Sequence, residues 1–336
     1  MGQYIARRLI ALIPVMLGVS IVVFSLIRLI PGDPVTVMLG ERARVEDIER
    51  VREEMGFNRP IVIQYVEWLG RVIRGDLGKS IINRTPVMGE LKQRLAATIE
   101  MVVVSMFFGV VIGVGIGVIS AIKRNSWLDF SATVAALLGV SMPIYWLALI
   151  LIYALAVNRS IFPPSARLDV NLDVVRRTGF MLIDTLLMGD IGFFLNALWH
   201  LILPSLVLST AIMPILARLT RASMLEVLLQ DYVRTAEAKG LRYRTVVIRH
   251  ALKNALLPII TVVGLQLGGL LGGAILTETI FSWPGMGLWT YRAILSRDYP
   301  IVQGAVLVSA TIYVIVNLLV DISYAYLDPR IRYQSN

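Results

Sequence analysis

The chain has 336 residues, of which 57% are hydrophobic and 16% charged, with a net charge of +9 and a mean hydropathy of +0.73. Soluble domains are about 45–50% apolar and about 25% charged, so this composition indicates an integral membrane protein. The sequence contains no cysteine, which excludes disulfides and thiolate metal sites. Its two histidines, His200 and His250, lie far apart in the sequence, so a metal-dependent enzyme is not expected.

Six apolar runs are long enough to cross a hydrocarbon core of roughly 30 Å, which takes about 20 helical residues. They cover residues 9–30, 101–122, 130–157, 198–217, 256–281 and 301–320. The first run exceeds the roughly 7–15 apolar residues of a signal peptide, so we interpret it as a retained span. The expected fold class is an all-α membrane protein with six transmembrane helices.

The distribution of basic residues predicts the orientation of these spans. With the N-terminus inside the cell, the cytoplasmic pieces are 1–8, 123–129, 218–255 and 321–336, which hold 14 of the 32 Lys and Arg but only 6 of the 23 Asp and Glu. The remainder of the chain is nearly neutral. Because basic residues accumulate on the cytoplasmic side of membrane proteins, both termini are expected in the cytoplasm of an inner-membrane protein. Nucleic acid is not needed to explain the charge.

The predicted spans divide the chain into seven segments of one integral membrane domain. These are 1–30 (N-terminus and span one), 31–100 (external), 101–157 (spans two and three), 158–197 (external), 198–217 (span four), 218–255 (cytoplasmic loop) and 256–336 (spans five and six with the tail). Within the first external segment we expect a helix over 45–55 that ends at Gly56 and a second helix over 60–74.

Patterns typical of enzymes are incomplete or absent in the sequence. Gly78-Lys79-Ser80 resembles the end of a phosphate-binding loop, but the loop needs a glycine at position 73, where Ile73 stands. The sequence shows no His-Glu-x-x-His pattern, no paired aspartate site and no Ser–His pair of an intramembrane protease. We therefore expect no catalytic residues and no ATP hydrolysis by this chain.

Charged residues inside the predicted spans are scarce. Arg28, Glu100 and Glu278 lie near the outer ends, where a side chain reaches solvent at little cost, and Asp321 lies near the inner end of span six. A proton-coupled carrier usually places an ionisable group near the middle of the membrane. This distribution disfavours such a carrier, which nevertheless stays an alternative.

Glycines recur at helical spacing in two spans. Gly113, Gly115 and Gly117 lie in span two, and span five contains Gly264, Gly268 and Gly272. Glycines four residues apart share one helix face and let two helices approach closely, so helix packing is the favoured interpretation. For Gly264, Gly268 and Gly272 a second hypothesis is that they line a translocation pathway.

The cytoplasmic loop 218–255 is much longer than a connector requires. Asp231 is expected to cap a short helix over 232–239 that Gly240 ends, and a second helix is expected to start near Arg242. Basic residues recur along this second helix at Arg242, Arg249 and Lys253. One interpretation of the loop is a solvated basic surface near lipid. The preferred interpretation is a docking surface for a cytoplasmic partner, because it explains the short capped helix better.

Residues 231–240, DYVRTAEAKG, followed by RHALKNALLP at 249–258, resemble the coupling loop of binding-protein-dependent ABC permeases. The family signature begins Glu-Ala-Ala and has a glycine four residues after the last alanine; here Arg234 and Thr235 replace the first two positions. The resemblance implies that this loop contacts an ATPase subunit. The coupling residues it implies are Asp231, Arg234, Thr235, Ala236, Glu237, Ala238 and Gly240.

Further segments resemble the peptide-importing branch of the same family. They include LIPGDP at 29–34, GDLGKS at 75–80, AILTETIFSWPGMG at 274–287 and RDYPIVQG at 297–304. The resemblance implies a type I importer fold, import of dipeptides or short oligopeptides, and no cofactor in this chain. It also implies a second permease subunit, two ATPase subunits that bind ATP and magnesium, and an external peptide-binding protein. Nickel or haem import within the same branch stays an alternative.

Overall fold

The computed structural model describes residues 2–29, 35, 36, 40, 44–54 and 56–327. Every regular element in these ranges is a helix, and one isolated β-bridge joins Lys79 and Pro86. The helices are α1 (Gly2–Leu29), α2 (Val45–Glu54), α3 (Ile61–Ile73), α4 (Val87–Ile122), α5 (Trp127–Ser141), α6 (Ile144–Leu151), α7 (Met181–Leu187), α8 (Ile191–Ser209), α9 (Met213–Leu228), α10 (Asp231–Ala238), α11 (Lys253–Gly273), α12 (Ile275–Ile280), α13 (Met286–Leu295) and α14 (Tyr299–Leu327).

Two of these helices continue in π-helical turns. The π-turn Ile152–Val157 extends α6, and Tyr243–Thr245 followed by the π-turn Val246–Leu252 leads directly into α11. The second π-turn lies in the predicted cytoplasmic loop, beside α10. One continuous rod therefore runs from that loop into the predicted fifth span.

The long helix α4 is the centre of the bundle. It packs along α9 and α8, while α11 packs against α9 and α14, and α14 in turn packs against α1. Met101, Leu208, Leu216 and Trp283 are among the buried residues of the central core. We call the end of the bundle that carries α10 the lower end, and the end that carries α7 the upper end.

Within the described ranges, four helices are long and apolar enough to cross a membrane. They cover Val87–Ile122, Ile191–Ser209, Tyr243–Leu271 and Tyr299–Val320, and the bent pair Trp127–Gly139 and Ile144–Val157 makes a fifth if it counts as one span. The apolar part of α1, Leu9–Ser25, is shorter. The protein is thus an all-helical membrane protein with at least four apolar spans.

The predicted third and fourth spans are not straight helices. The third bends by 106° between α5 and α6, because Pro143 lacks an amide proton and forces Met142 into an extended conformation (φ −78°, ψ 127°). The predicted fourth span, 198–217, covers the end of α8, a break at residues 210–212 and the start of α9. Apolar character is the same on both sides of each break, so hydropathy alone does not reveal it.

Other observed helix ends differ from the predicted span ends. Helix α4 begins at Val87, well before the predicted start at 101, and the predicted fifth span ends at Gly273, with α12 as a separate helix. In the first predicted external segment, α2 and α3 lie at the expected positions. Gly56 follows α2 with φ +69°, and Pro60 directly precedes α3.

Candidate functional site

Helix α10 is a short amphipathic helix fixed to the lower end of the bundle. Its sequence places Val233 and Ala236 three residues apart, hence on one face, and both are buried against Val246 of the π-turn. Val227 and Leu228 at the end of α9 complete this cluster. The apolar face of α10 is therefore bound by its own chain.

The termini of α10 partly differ from the expectation. The expected capping role of Asp231 is wrong, because Asp231 is the first helical residue and Gln230 precedes it without a side-chain capping hydrogen bond. At the other end Gly240 has φ +74°, its amide donates to the Glu237 carbonyl at 2.9 Å, and the Leu241 amide donates to the Ala236 carbonyl at 3.4 Å. This pair of hydrogen bonds is the Schellman arrangement, which needs a left-handed residue at position 240.

The opposite face of α10 is polar and open to solvent. Of the seven residues that the family resemblance implies for coupling, only Ala236 is buried; the exposed ones are Asp231, Arg234, Thr235, Glu237, Ala238 and Gly240. The Tyr232 hydroxyl accepts a hydrogen bond of 2.7 Å from Asn254 at the start of α11. Helix α10 thus presents a polar surface to solvent, while its apolar face packs on the rest of the chain.

Arg242, Arg249 and Lys253 are all exposed beside α10. They extend the polar surface along the rod that leads into α11. Arg242 precedes the turn Tyr243–Thr245, and Arg249 lies within the π-turn. The lower end therefore presents a mixed face on α10 and a basic face next to it.

A bidentate ion pair connects α5 to α9 near the same end. Arg221 donates from Nε to Asp129 Oδ1 at 2.7 Å and from Nη2 to Oδ2 at 2.8 Å. Ser120 on α4 and the Asn125 amide also donate to the Asp129 carboxylate. Asp129 is only 5% exposed, so this carboxylate holds three helices together. Sequence reasoning missed it because the two partners are 92 residues apart.

Acidic residues expected to reach solvent at the upper end are buried instead. Glu278 is fully buried, where it accepts hydrogen bonds from the Thr98 hydroxyl at 2.6 Å and the Leu288 amide at 2.8 Å. Glu100 is 6% exposed and pairs with Arg167. The expectation that these two side chains reach solvent is therefore wrong. The side chains of Arg28 and Asp321 lie outside the described part.

The buried pair Glu100–Arg167 joins α4 to the predicted second external segment. Arg167 also donates to the Gly179 carbonyl at 3.1 and 3.2 Å and lies over the Trp283 ring at 5.4 Å. Burial lowers the pKa of Arg167, and the charge of Glu100 opposes that shift. This pair fixes the segment before α7 onto the bundle.

Asp184 on α7 organises the turn that precedes the helix. Its carboxylate accepts hydrogen bonds from the Thr178 amide at 2.8 Å, the Thr178 hydroxyl at 2.7 Å and the Gly179 amide at 3.0 Å. Burial alone would raise the pKa of Asp184, but these donors more than offset it and lower the pKa below its ordinary value. This network has a structural role.

The predicted pathway glycines of α11 face a neighbouring helix. A Cβ atom at Gly264 would lie 2.5 Å from Val320, and one at Gly268 would lie 3.0 Å from the Tyr313 ring, both on α14. These two positions therefore serve close packing of α11 on α14, which favours the helix-packing interpretation over the pathway hypothesis there. Gly272 lies near the end of α11, and its surroundings are outside the described part.

The glycine-lysine-serine pattern at residues 78–80 takes a structural role. In the incomplete phosphate-loop pattern, the Ser80 hydroxyl donates to buried Asp298 rather than facing solvent. Among the described residues, no group of three or more His, Cys, Asp or Glu side chains could hold a metal ion.

Comparison with known proteins agrees with this architecture. The family model of the binding-protein-dependent transport system inner membrane component matches residues 113–333, and the model of its N-terminal part matches residues 1–102. The chain is 48% identical to a dipeptide transport system permease protein of Escherichia coli (strain K12), over 99% of this chain and 100% of that protein. It is 50% identical, with the same coverage, to a di/tripeptide transport system permease protein of Pseudomonas aeruginosa (strain UCBPP-PA14).

A solved structure with the same kind of fold is that of the MetNI methionine ABC transporter in inward-facing conformations. It matches with a TM-score of 0.53 and 20% identity, covering 72% of this chain and 97% of that one. At this identity the likeness concerns the fold alone. With both family models matched along its length, the chain belongs to the family of binding-protein-dependent transport system inner membrane components.

Proposed function

We propose that this chain is one of two permease subunits of an ATP-driven importer for dipeptides or short oligopeptides. The observation that carries the substrate class is the identity of 48–50% over full length to permeases named for dipeptides and di/tripeptides. Import of nickel or haem is less well supported, because these relatives are named for peptides.

The proposed membrane arrangement has six spans, with both termini and α10 in the cytoplasm. Beyond the four apolar helices, the bent pair α5–α6 supplies one span and α1 supplies another. The basic excess of the segments at the lower end supports this orientation. The upper end, with α7, would then face the external peptide-binding protein.

The proposed coupling to ATP hydrolysis runs through α10. ATP and magnesium would be bound by two partner ATPase subunits, and the exposed residues of α10 would dock on one of them. Two features support this role: the apolar face of α10 is anchored on Val246, and its polar face is free. Because α10 packs on the end of α9 and on the π-turn that leads into α11, a displacement of α10 would displace both helices.

The ion pair Asp129–Arg221 extends this coupling to the bent span. Because Arg221 lies on α9 and Asp129 on α5, displacement of α9 would carry the lower half of the bent span with it. Alternating access in this proposal is a joint movement of α5, α9 and α11, driven from α10. A second copy of this type of subunit would complete the pathway.

Charge reversal on α10 tests the docking surface. Arg234→Glu should reduce co-purification of the ATPase subunits and ATP-driven dipeptide uptake in proteoliposomes, because Arg234 is exposed on the polar face. Arg159→Glu is the control for ATPase co-purification, which it should leave unchanged, since Arg159 is also exposed but follows the π-turn Ile152–Val157 at the upper end, away from α10. Uptake driven by a proton gradient without any ATPase would contradict the proposed class.

A further inference from the structure

A cavity of about 410 Å³ opens where the bent span and the break between α8 and α9 meet. Its lining includes Met142, Thr210, Ala211, Ile212, Gln266 and Gly269. A Cβ atom at Gly139, which also lines it, would lie 3.1 Å from Pro214, so the two breaks touch. The volume falls within the roughly 300–1,000 Å³ of pockets that bind small molecules.

Two prolines stand at the helix starts that border this cavity: Pro143 directly before α6 and Pro214 in the first turn of α9. In a helix the carbonyl of residue i accepts from the amide of residue i+4, and proline has no amide proton. Pro143 and Pro214 therefore cannot supply the i+4 donor to the carbonyls of Gly139, in the last turn of α5, and of Thr210, which follows α8. Both affected residues, Gly139 and Thr210, line the cavity. Within a membrane, carbonyls freed in this way are found where they face protein or a polar cavity.

The third polar group at the cavity is the side chain of Gln266. It stands on α11 two residues from Gly264 and Gly268, which pack against α14. At about 100° per residue, Gln266 and Gly269 share the opposite face of α11, and both line the cavity. Glutamine offers both donors and an acceptor in one amide.

The chemistry of this lining selects a particular class of ligand. Carbonyl oxygens accept hydrogen bonds from amide N–H groups, and the Gln266 amide can pair with a peptide bond through both its donor and its acceptor. None of the described lining residues is ionisable, so no fixed charge holds a ligand in place. Gly139, Gly269 and Ala211 leave room for side chains of different size.

We propose that this cavity is a site for a peptide backbone inside the membrane, held by the Gly139 and Thr210 carbonyls and the Gln266 side chain. The inference rests on the proposed import of dipeptides and adds the place where this chain contacts them. A site without fixed charge binds its ligand weakly enough to release it, as a translocation pathway requires.

Two substitutions test the site in the complete transporter, reconstituted with its partner subunits in proteoliposomes. Gln266→Leu removes the amide at similar size and should raise the KM for dialanine uptake about threefold to tenfold, which corresponds to about 0.6–1.4 kcal/mol, the contribution of one hydrogen bond. Gly269→Leu meets open space, since no atom lies within 4 Å of its Cβ position. It should fill the cavity and reduce uptake of Trp-containing dipeptides more than that of diglycine.

The matched control is Gly115→Leu on α4, where the Cβ position is also free of neighbours within 4 Å and the residue does not line the cavity. It should leave KM and the preference among dipeptides unchanged. If wild-type transporter takes up dipeptides and both cavity variants keep its KM and size preference, the cavity proposal is refuted while the proposed function stands. If wild-type transporter takes up no dipeptide at all, both are refuted.

Discussion

Alanine substitutions along α4 test how closely this helix packs against α9. A Cβ atom at Gly113 would lie 2.7 Å from the Met213 carbonyl oxygen, and one at Gly117 would lie 2.6 Å from the Ala217 carbonyl oxygen. Both obstacles are backbone atoms, so the two helices must separate to admit a methyl group. Overpacking of this kind costs about 1–3 kcal/mol.

Gly115 provides the control within the same turn of helix. Its Cβ position has no atom within 4 Å, so Gly115→Ala gains the better helix propensity of alanine, about 1 kcal/mol, without a clash. Since all three substitutions gain this propensity, the difference between Gly113→Ala or Gly117→Ala and Gly115→Ala isolates the clash. We expect both to be about 1–3 kcal/mol less stable than Gly115→Ala.

Reversible denaturant unfolding of the purified chain in detergent, monitored by circular dichroism, measures these differences. Membrane abundance of each variant provides an independent check, and it should fall for Gly113→Ala and Gly117→Ala. Equal unfolding free energies for all three variants would refute the close packing of α4 on α9 through these glycines.

Three further predictions concern the lower end and the orientation. Gly240→Val should reduce uptake at normal membrane abundance, because a β-branched residue at φ +74° costs at least about 1–2 kcal/mol, although no neighbouring atom lies within 4 Å of its Cβ position. Gly240→Asn should transport better, because asparagine tolerates this conformation. Equal uptake by both variants would contradict the reasoning. Asp129→Asn should lower the unfolding free energy by about 1–3 kcal/mol, which is less than for a fully buried ion pair because the Arg221 side chain is 32% exposed. A double-mutant cycle with Arg221→Gln should show strong coupling between the two residues. Additive effects of the two substitutions would argue against the ion pair. A reporter fused near Lys239 should register as cytoplasmic and one near Asp173 as external; the reverse pattern would remove α10 from the reach of an ATPase.

The sequence by itself determined the class of protein and much of its local structure. In lipid only helices and closed barrels satisfy the backbone, and continuous apolar runs of about 20 residues fit helices, since barrel strands are about half as long and alternate in polarity. The short helix before Gly240 and the pair α2–α3 were predictable too, since glycine and proline act through their own backbone geometry. The same local rule, applied to Pro143, would have indicated the bend of the third span.

The tertiary structure decided what each side chain contacts. Glu278 and Glu100 lie near span ends by sequence count, yet both are buried, because folding brings Thr98 and Arg167 against them from distant segments. Likewise, the spacing of Gly264 and Gly268 defines a helix face without saying which helix it meets, and packing assigned that face to α14. The cavity at Gln266 exists because two proline breaks, 71 residues apart in sequence, meet in space, and no local rule relates them.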